Sequence, residues 1–169
     1  MSILPGMELP KYARPEIERR WLASGLDVRE LPGRGYELLD HYLTGTRMRL
    51  RKLVDCESGK VTYKLAKKYG AQYEDGVRWE PIVNIYLSAG EYSLFAAFPH
   101  FGLRKRRHLL EITEITYGVD ILESGLVMVE AEFPSIGAAR EAKPPPFADA
   151  EITGNPEYEG ARLARGGQR

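Results

Sequence analysis

The chain of 169 residues is poor in several things at once. It has a single cysteine, Cys56, so no internal disulfide can form, and a reducing compartment, the cytoplasm, is expected. Cys56 lies in the polar stretch from Asp55 to Lys60 with no histidine or second cysteine beside it, and reads as structural or incidental. The three histidines, His41, His100 and His108, show no metal-ligand spacing. No run approaches the roughly 20 apolar residues needed to span a membrane. The stretch Met1 to Glu16 lacks the basic start and apolar core of a signal peptide. Neither GxxxxGK[ST] nor GxGxxG occurs, so no glycine-rich phosphate loop is present. Net charge is missing too: 24 basic side chains balance 24 acidic ones, which excludes a strongly basic binder of nucleic acid polymers and a solvating acidic tail.

That balance hides an asymmetry. Residues 1–108 hold 19 Lys and Arg against 13 Asp and Glu, whereas residues 109–169 hold 5 against 11. If both parts line one cavity, that cavity contains cations and carboxylates together. With 43% hydrophobic residues the chain is long enough to bury a core as one domain, expected over 1–165, with a disordered tail at 166–169 that begins around Arg165. The proline-rich piece Ala142 to Phe147 is expected to run extended over the surface.

Period-2 alternation dominates the rest. It predicts strands at Pro15–Ala23, Tyr36–Leu43, Thr46–Val54, Lys60–Ala66, Pro81–Leu87, Gly102–Leu110, Tyr117–Leu122 and Leu126–Phe133, separated by turns such as Glu-Ser-Gly at 57–59 and 123–125. Helix signals are few. Ser88 with Glu91 forms a capping-box pattern, Ser135 can cap a short helix through Ala142, and Asn155 before Pro156 suits the start of a last helix through Ala164. The expected fold class is α+β but mostly β, a closed antiparallel barrel of about eight strands with a few short helices outside.

Five or six of these strands each have one apolar face and one face bearing paired charges. Arg47, Arg49 and Arg51 share a face, as do Glu130 and Glu132, and Glu16, Glu18 and Arg20; Lys64 falls opposite Val61, Tyr63 and Leu65; Lys105 pairs with Arg107, and the flanking strand adds Asp120. Two arrangements are open. In one, the apolar faces turn inward and the charges are solvated. In the other, helices and loops cover the apolar faces and the charged faces meet around a polar lumen. The regularity of the charges at i and i+2 favours the lumen, although buried charge is costly unless it is paired and serves a ligand.

The inventory of the second arrangement points to a ligand class. Arg20, Arg47, Arg49, Arg51, Lys64, Lys105 and Arg107 would bind phosphate oxygens. Glu16, Glu18, Asp120, Glu130, Glu132 and Glu151 would repel a phosphate, and make sense if a subset holds Mg²⁺ or Mn²⁺, hard cations that bridge carboxylates and phosphates.

These residues resemble the CYTH, or triphosphate tunnel metalloenzyme, family over nearly the whole chain. Glu16-Ile-Glu18-Arg-Arg20 resembles its ExExK signature with Arg in place of Lys. Tyr42-Leu43 followed by Thr46-Arg47-Met-Arg49-Leu-Arg51 resembles the YL…RxR segment, and Val61-Thr-Tyr-Lys64 the LTxK strand. Lys105-Arg-Arg107 resembles the KxR pair, Val119-Asp120-Ile-Leu122 the xDxF strand, Val129-Glu130-Ala-Glu132-Phe133 the AExEF strand, and Glu151-Ile-Thr153 the EVT motif before the last helix. Three features depart. The RxExE strand reads Arg78-Trp-Glu80-Pro-Ile82-Val-Asn84: anchored on Arg78 it keeps Glu80 and replaces the second glutamate by Ile82, and anchored on the following helix it loses both. A tryptophan-glutamate pair is replaced by Tyr117-Gly118, and the hairpin from Asp120 to Glu130 is short.

The resemblance implies an eight-stranded tunnel that binds a triphosphate and hydrolyses it with Mg²⁺ or Mn²⁺. Inorganic tripolyphosphate, a nucleoside triphosphate and thiamine triphosphate are the substrate candidates. An adenylate cyclase making cyclic AMP and pyrophosphate from ATP is a second reading, and a non-catalytic polyphosphate or nucleotide binder is a third. No general base stands out; Tyr42 and His41 lie near the lumen in this reading. The expected partner is a small-molecule triphosphate, with no nucleic acid polymer and no membrane, and a homodimer is left open.

Overall fold

The computed structural model describes residues 9–31 and 34–166. The strands are β1 (Arg14–Leu22), β2 (Gly35–Leu43), β3 (Met48–Asp55), β4 (Val61–Lys68), β5 (Gln72–Glu74), β6 (Val77–Leu87), β7 (His100–Ile112), β8 (Ile115–Leu122), β9 (Val127–Glu132) and β10 (Ala150–Glu151); the helices are α1 (Ala89–Ala96), α2 (Ile136–Glu141) and α3 (Gly160–Gly166). Hydrogen-bonded neighbours run β10-β1-β9-β8-β7-β2-β3-β4-β6-β5, and a further β1–β6 pairing closes the ring. Eight antiparallel strands therefore form a barrel, with β5 appended to β6 and β10 to β1. The closure uses β1 twice: residues 14–17 pair with β6 and residues 18–22 with β9. Such a stagger is what a closed sheet requires.

Several boundaries differ from the sequence reading, each for a local reason. Strand β6 begins at Val77, four residues before the proline at which it was expected to start. Pro81 lies opposite Pro15 in the β1–β6 ladder, so one register position accommodates two residues that lack an N–H donor. Strands β7 and β8 extend to a two-residue turn, Thr113 and Glu114, both at positive φ (46° and 65°). That geometry matches the twist of a hairpin, but Thr-Glu lacks the usual Asn-Gly signature. The short β5 carries no alternation long enough to read.

The helix caps hold. Ser88 Oγ accepts from Glu91 N at 3.3 Å while the Glu91 carboxylate accepts from Ser88 N at 2.7 Å, and Ser135 Oγ accepts from Ala138 N at 3.1 Å. The last helix is interrupted. Asn155 caps a 3₁₀ turn over Pro156–Tyr158, and α3 starts after it. Arg165 and Gly166 belong to α3, against the expected disorder from there on; residues 167–169 of that expectation lie outside the described residues, as do residues 1–8 of the N-terminal stretch.

The core settles which way the faces point. Ile17, Trp21, Val77, Trp79, Tyr117, Val119, Val129, Ala131 and Phe133 form the largest apolar cluster on the outside of β1, β6, β8 and β9, and α2 covers it with Ala139. The proline-rich piece crosses the same face, where Ala142 and Phe147 pack on the cluster. Leu43, Leu50 and Leu65 form a second outer cluster beneath Tyr92, Phe95 and Ala96 of the α1 region. A third cluster, Leu122, Met128 and Ile152, meets Leu22, Leu103, Tyr158 and Leu163, so the C-terminal segment seats its apolar side on one end of the barrel. With apolar residues on the outer face, alternation turns the charged faces inward.

Candidate functional site

The barrel encloses a cavity of about 570 Å³. Strand β1 contributes Glu16, Glu18 and Arg20 to its wall, β3 Arg49 and Arg51, β4 Lys64 and Lys68, β7 Lys105 and Arg107, β8 Asp120, and β9 Glu130 and Glu132; Arg47 stands just before β3. Of the sequence-derived candidates, all but Glu151 are brought together here. Glu151 is a correction. Its carboxylate accepts from Arg19 at 2.9 and 2.6 Å and from Thr153 at 2.8 Å, outside the barrel, because Arg19 is an odd-numbered residue of β1 and faces away from Glu18 and Arg20.

Pairing divides the cations. Arg51 donates Nε to Asp40 Oδ1 at 2.5 Å and Nη2 to Oδ2 at 2.7 Å, and Asp40 is fully buried. Burial alone would raise the Asp40 pKa, but Arg51 overrides it and holds the carboxyl well below the usual carboxylate range. Asp120, expected among the metal ligands, is engaged in the same manner. Lys105 Nζ reaches it at 2.5 Å and Arg107 donates to both its oxygens at 2.7 Å. Its pKa is also depressed, the two cations outweighing burial. Arg107 extends further to Glu130 at 2.7 Å. The absence of a side chain at Gly118 makes room for it, since a Cβ there would lie 3.3 Å from Arg107 Nε.

Other cations remain available. The Nε of Arg49 is buried with no hydrogen-bond partner among the described residues. Lys64 lies 5.1 Å from the centre of the Tyr86 ring, and Arg47 is exposed at the rim. Arg20 is taken up at the covered end, where it donates to Tyr158 O at 3.1 Å and Glu159 Oε1 at 2.7 Å. Burial lowers the Arg20 pKa, but Glu18 and Glu159 more than compensate and it ends up raised.

The carboxylates face one another across strand seams. Glu18 is directly opposite Glu132, and Glu16 opposite Glu80. Like charges in direct opposition destabilise a sheet, so such pairs call for a cation. Burial, then Glu16, Glu18 and Glu130, raise the Glu132 pKa. No cation lies within 4 Å of Glu132 among the described residues. The described residues contain no group of three or more His, Cys, Asp or Glu side chains placed so as to hold a metal ion. An all-carboxylate set of this size suits Mg²⁺ or Mn²⁺, which bind through one or two carboxylates and complete their shell with phosphate oxygens and water. The carboxylate oxygens on this wall are of the ligand type that Mg²⁺ and Mn²⁺ take, but three of them do not converge on one point.

Both anchorings of the β6 strand fall on its cavity-facing side. Arg78, Glu80 and Asn84 line the cavity, and Ile82, in phase with them, stands where the second glutamate is absent. Arg78 donates to Glu80 at 3.0 Å, and Glu80 also accepts from Gly70 N at 3.1 Å.

Sequence reasoning missed Asp40, Lys68 and Glu159. Asp40 is the only charge on the inner face of β2, so no i, i+2 partner signalled it. Lys68 lies in phase with Lys64, but the expected strand ended at Ala66, two residues short. Glu159 comes from an irregular segment and belongs to no periodic pattern.

Tyr42 sets a hydroxyl among these charges. Burial and Asp40 push its pKa up to about 12. Its Oη fills the space beside Gly160, where a Cβ would fall 1.8 Å away.

Among solved structures the chain is similar to NE1496, described as an inorganic triphosphatase, in two crystal structures with TM-score 0.55 each. Identity is 24% and 25%, over 88% of this chain and 93% and 97% of the other. It is also similar to the PH1819 protein from Pyrococcus horikoshii OT3, with TM-score 0.53 and 20% identity over 75% of this chain and 82% of that one. No family model and no curated protein matches the chain. The tunnel architecture implied by the seven motifs is the fold that the chain shares with these structures. No helix among the described residues is long and apolar enough to cross a membrane.

Proposed function

We propose that this protein is a metal-dependent phosphohydrolase that cleaves a triphosphate inside its charged tunnel. The observation that carries the reading is the Arg49 guanidinium, whose buried Nε has no hydrogen-bond partner, in the same cavity as the opposed carboxylates Glu18 and Glu132. A cavity offering uncompensated charge of both signs suits a polyanion bound with a divalent cation. The described similarity of the fold to NE1496, an inorganic triphosphatase, supports the same reading.

The roles follow from pairing. Arg49, Arg47 and Lys64 are free to take phosphate oxygens, and Arg107 and Lys105 add positive potential from their anchored positions on Asp120. Fixed cations of this kind stabilise the charge that spreads over the equatorial oxygens during phosphoryl transfer. Arg51 is occupied by Asp40, which assigns it to holding the wall rather than to the first contact with phosphate. Glu18, Glu130 and Glu132 would hold Mg²⁺ or Mn²⁺. When bound, the metal supplies charge neutralisation and an acidified water for in-line attack. With its pKa near 12, Tyr42 stays neutral at pH 7 and serves as a hydrogen-bonding group rather than a base.

The test is product analysis. Purified protein is incubated with tripolyphosphate, ATP or thiamine triphosphate, each with Mg²⁺ or Mn²⁺, and phosphate, pyrophosphate and cyclic AMP are resolved. Metal-dependent phosphate release from at least one substrate is expected. Cyclic AMP with pyrophosphate would instead identify a cyclase, and tight metal-dependent binding without product would identify a binder.

A further inference from the structure

Glu159 is a carboxylate brought into the cavity wall by a segment that belongs to no barrel strand. It stands between the 3₁₀ turn Pro156–Tyr158 and α3, and its Oε1 is shared by two guanidinium groups, Arg20 Nη2 at 2.7 Å and Arg78 Nη2 at 3.5 Å. The other hydrogen bond of the Arg20 guanidinium goes to the same segment, from Nη1 to Tyr158 O at 3.1 Å, and its buried Nε has no hydrogen-bond partner among the described residues. Both arginines are buried, whereas the Glu159 side chain is 34% exposed. Two glycines let the segment come this close. Gly154, at φ 72°, would place a Cβ 3.3 Å from Arg78 Cδ, and Gly160 would place one against the Tyr42 hydroxyl.

We infer that the Glu159 carboxylate is a resident anion that a phosphate group of the bound chain displaces from Arg20, so that the C-terminal segment competes with the ligand for one end of the tunnel. This rests on the triphosphate reading above. Carboxylate and phosphate oxygens accept from a guanidinium fork in the same way, and the phosphate presents more oxygens and more charge. Displacement strands no group. Arg78 keeps Glu80 at 3.0 Å, Arg20 keeps Glu18 at 3.5 Å, and the half-open Glu159 side chain turns to water. The seat it leaves is continuous with the anchored cations: Arg20 lies directly opposite Glu130 in the β1–β9 ladder, and Glu130 is the partner of Arg107 at 2.7 Å. A phosphate chain lying along Arg107 therefore reaches Arg20 across one strand seam. Glu159 weakens the hold of the tunnel on that chain by the worth of its own contact with Arg20.

The experiment measures tripolyphosphate binding to the full chain by titration calorimetry without divalent metal, so that turnover does not intervene. Glu159→Gln should bind about tenfold more tightly than the wild type, the worth of one hydrogen bond to a charged group. Glu157→Gln removes the same charge from the adjacent exposed turn, where Glu157 lies 3.3 Å from Arg162, and should bind as the wild type does. A crystal structure of the wild type with tripolyphosphate should show a phosphate oxygen on Arg20 Nη2 and Glu159 turned to solvent. Tightening in Glu159→Gln no greater than in Glu157→Gln, or Glu159 still on Arg20 beside a bound chain, would overturn the displacement while leaving the triphosphate reading standing. No tripolyphosphate binding to any of the three proteins would overturn both. If Glu159→Gln does not fold, the wild-type complex decides the question.

Discussion

The guanidinium of Arg51 closes on the carboxylate of Asp40 with two parallel hydrogen bonds, 2.5 and 2.7 Å long, and Asp40 has no solvent exposure at all. Removing one partner of such a buried pair strands the other charge. Asp40→Asn should therefore cost about 3–5 kcal/mol of stability, measured by urea denaturation. Replacing both partners together, Asp40→Leu with Arg51→Met, should recover most of the loss. A single variant as stable as the wild type would show that the pair contributes no structure.

The same pair sets an acid limit. The folded-state pKa of Asp40 lies below its unfolded value of about 3.9, so its stabilisation is fully present above that value. It disappears as the pH falls further, toward the depressed folded-state value. Melting temperature should drop steeply below about pH 4, and the drop should be shallower in the double variant that lacks both charges. Equal slopes in the two proteins would assign acid sensitivity to other carboxylates.

Arg49 has no internal partner at its buried Nε and forms no ion pair among the described residues, so its loss should fall on the ligand and not on the fold. Arg49→Ala should lower triphosphate turnover by about 10²-fold or more with an unchanged circular dichroism spectrum and melting temperature. Glu130→Gln should likewise remove turnover. Full activity in both variants would sink the tunnel as the active site.

Glu151 offers the opposite control. Its carboxylate is spent on Arg19 and Thr153 outside the barrel, so Glu151→Gln should leave the metal requirement and the turnover of any triphosphate unchanged. A change in the metal concentration needed for half-maximal rate would place Glu151 in the site after all.

Gly160 tests how the C-terminal segment is seated. A methyl group there would collide with the Tyr42 hydroxyl, so Gly160→Ala should loosen α3 and speed amide hydrogen exchange over residues 160–166. Adding Tyr42→Ala, which vacates the space, should restore slow exchange. Unchanged exchange in the single variant would mean that the segment shifts at no cost.

Much of this protein is legible in one dimension because strand alternation has a period of two. The residues of β3 and β9 announce their own division: Arg49 and Arg51 must face opposite Leu50, and Glu130 and Glu132 opposite Val129 and Ala131, whatever surrounds them. Helix starts at Ser88 and Ser135 are equally local, since a cap satisfies donors only three residues away. From these alone came the barrel, its paired charges and most of its cavity wall.

What the tertiary structure decided is which charges are spent and which are free. Arg49 and Arg51 look alike in sequence, yet Asp40 on the neighbouring strand consumes one and leaves the other open. Glu16 and Glu18 look alike, yet only Glu16 finds an ammonium at 2.6 Å, from Lys68 at the far end of β4. Glu151 seemed to belong with them, but Arg19 holds it on the other side of the wall. The physical reason is common to all three cases. Facing is a property of the strand itself, whereas compensation of charge depends on register between strands, and register is fixed only when the barrel closes.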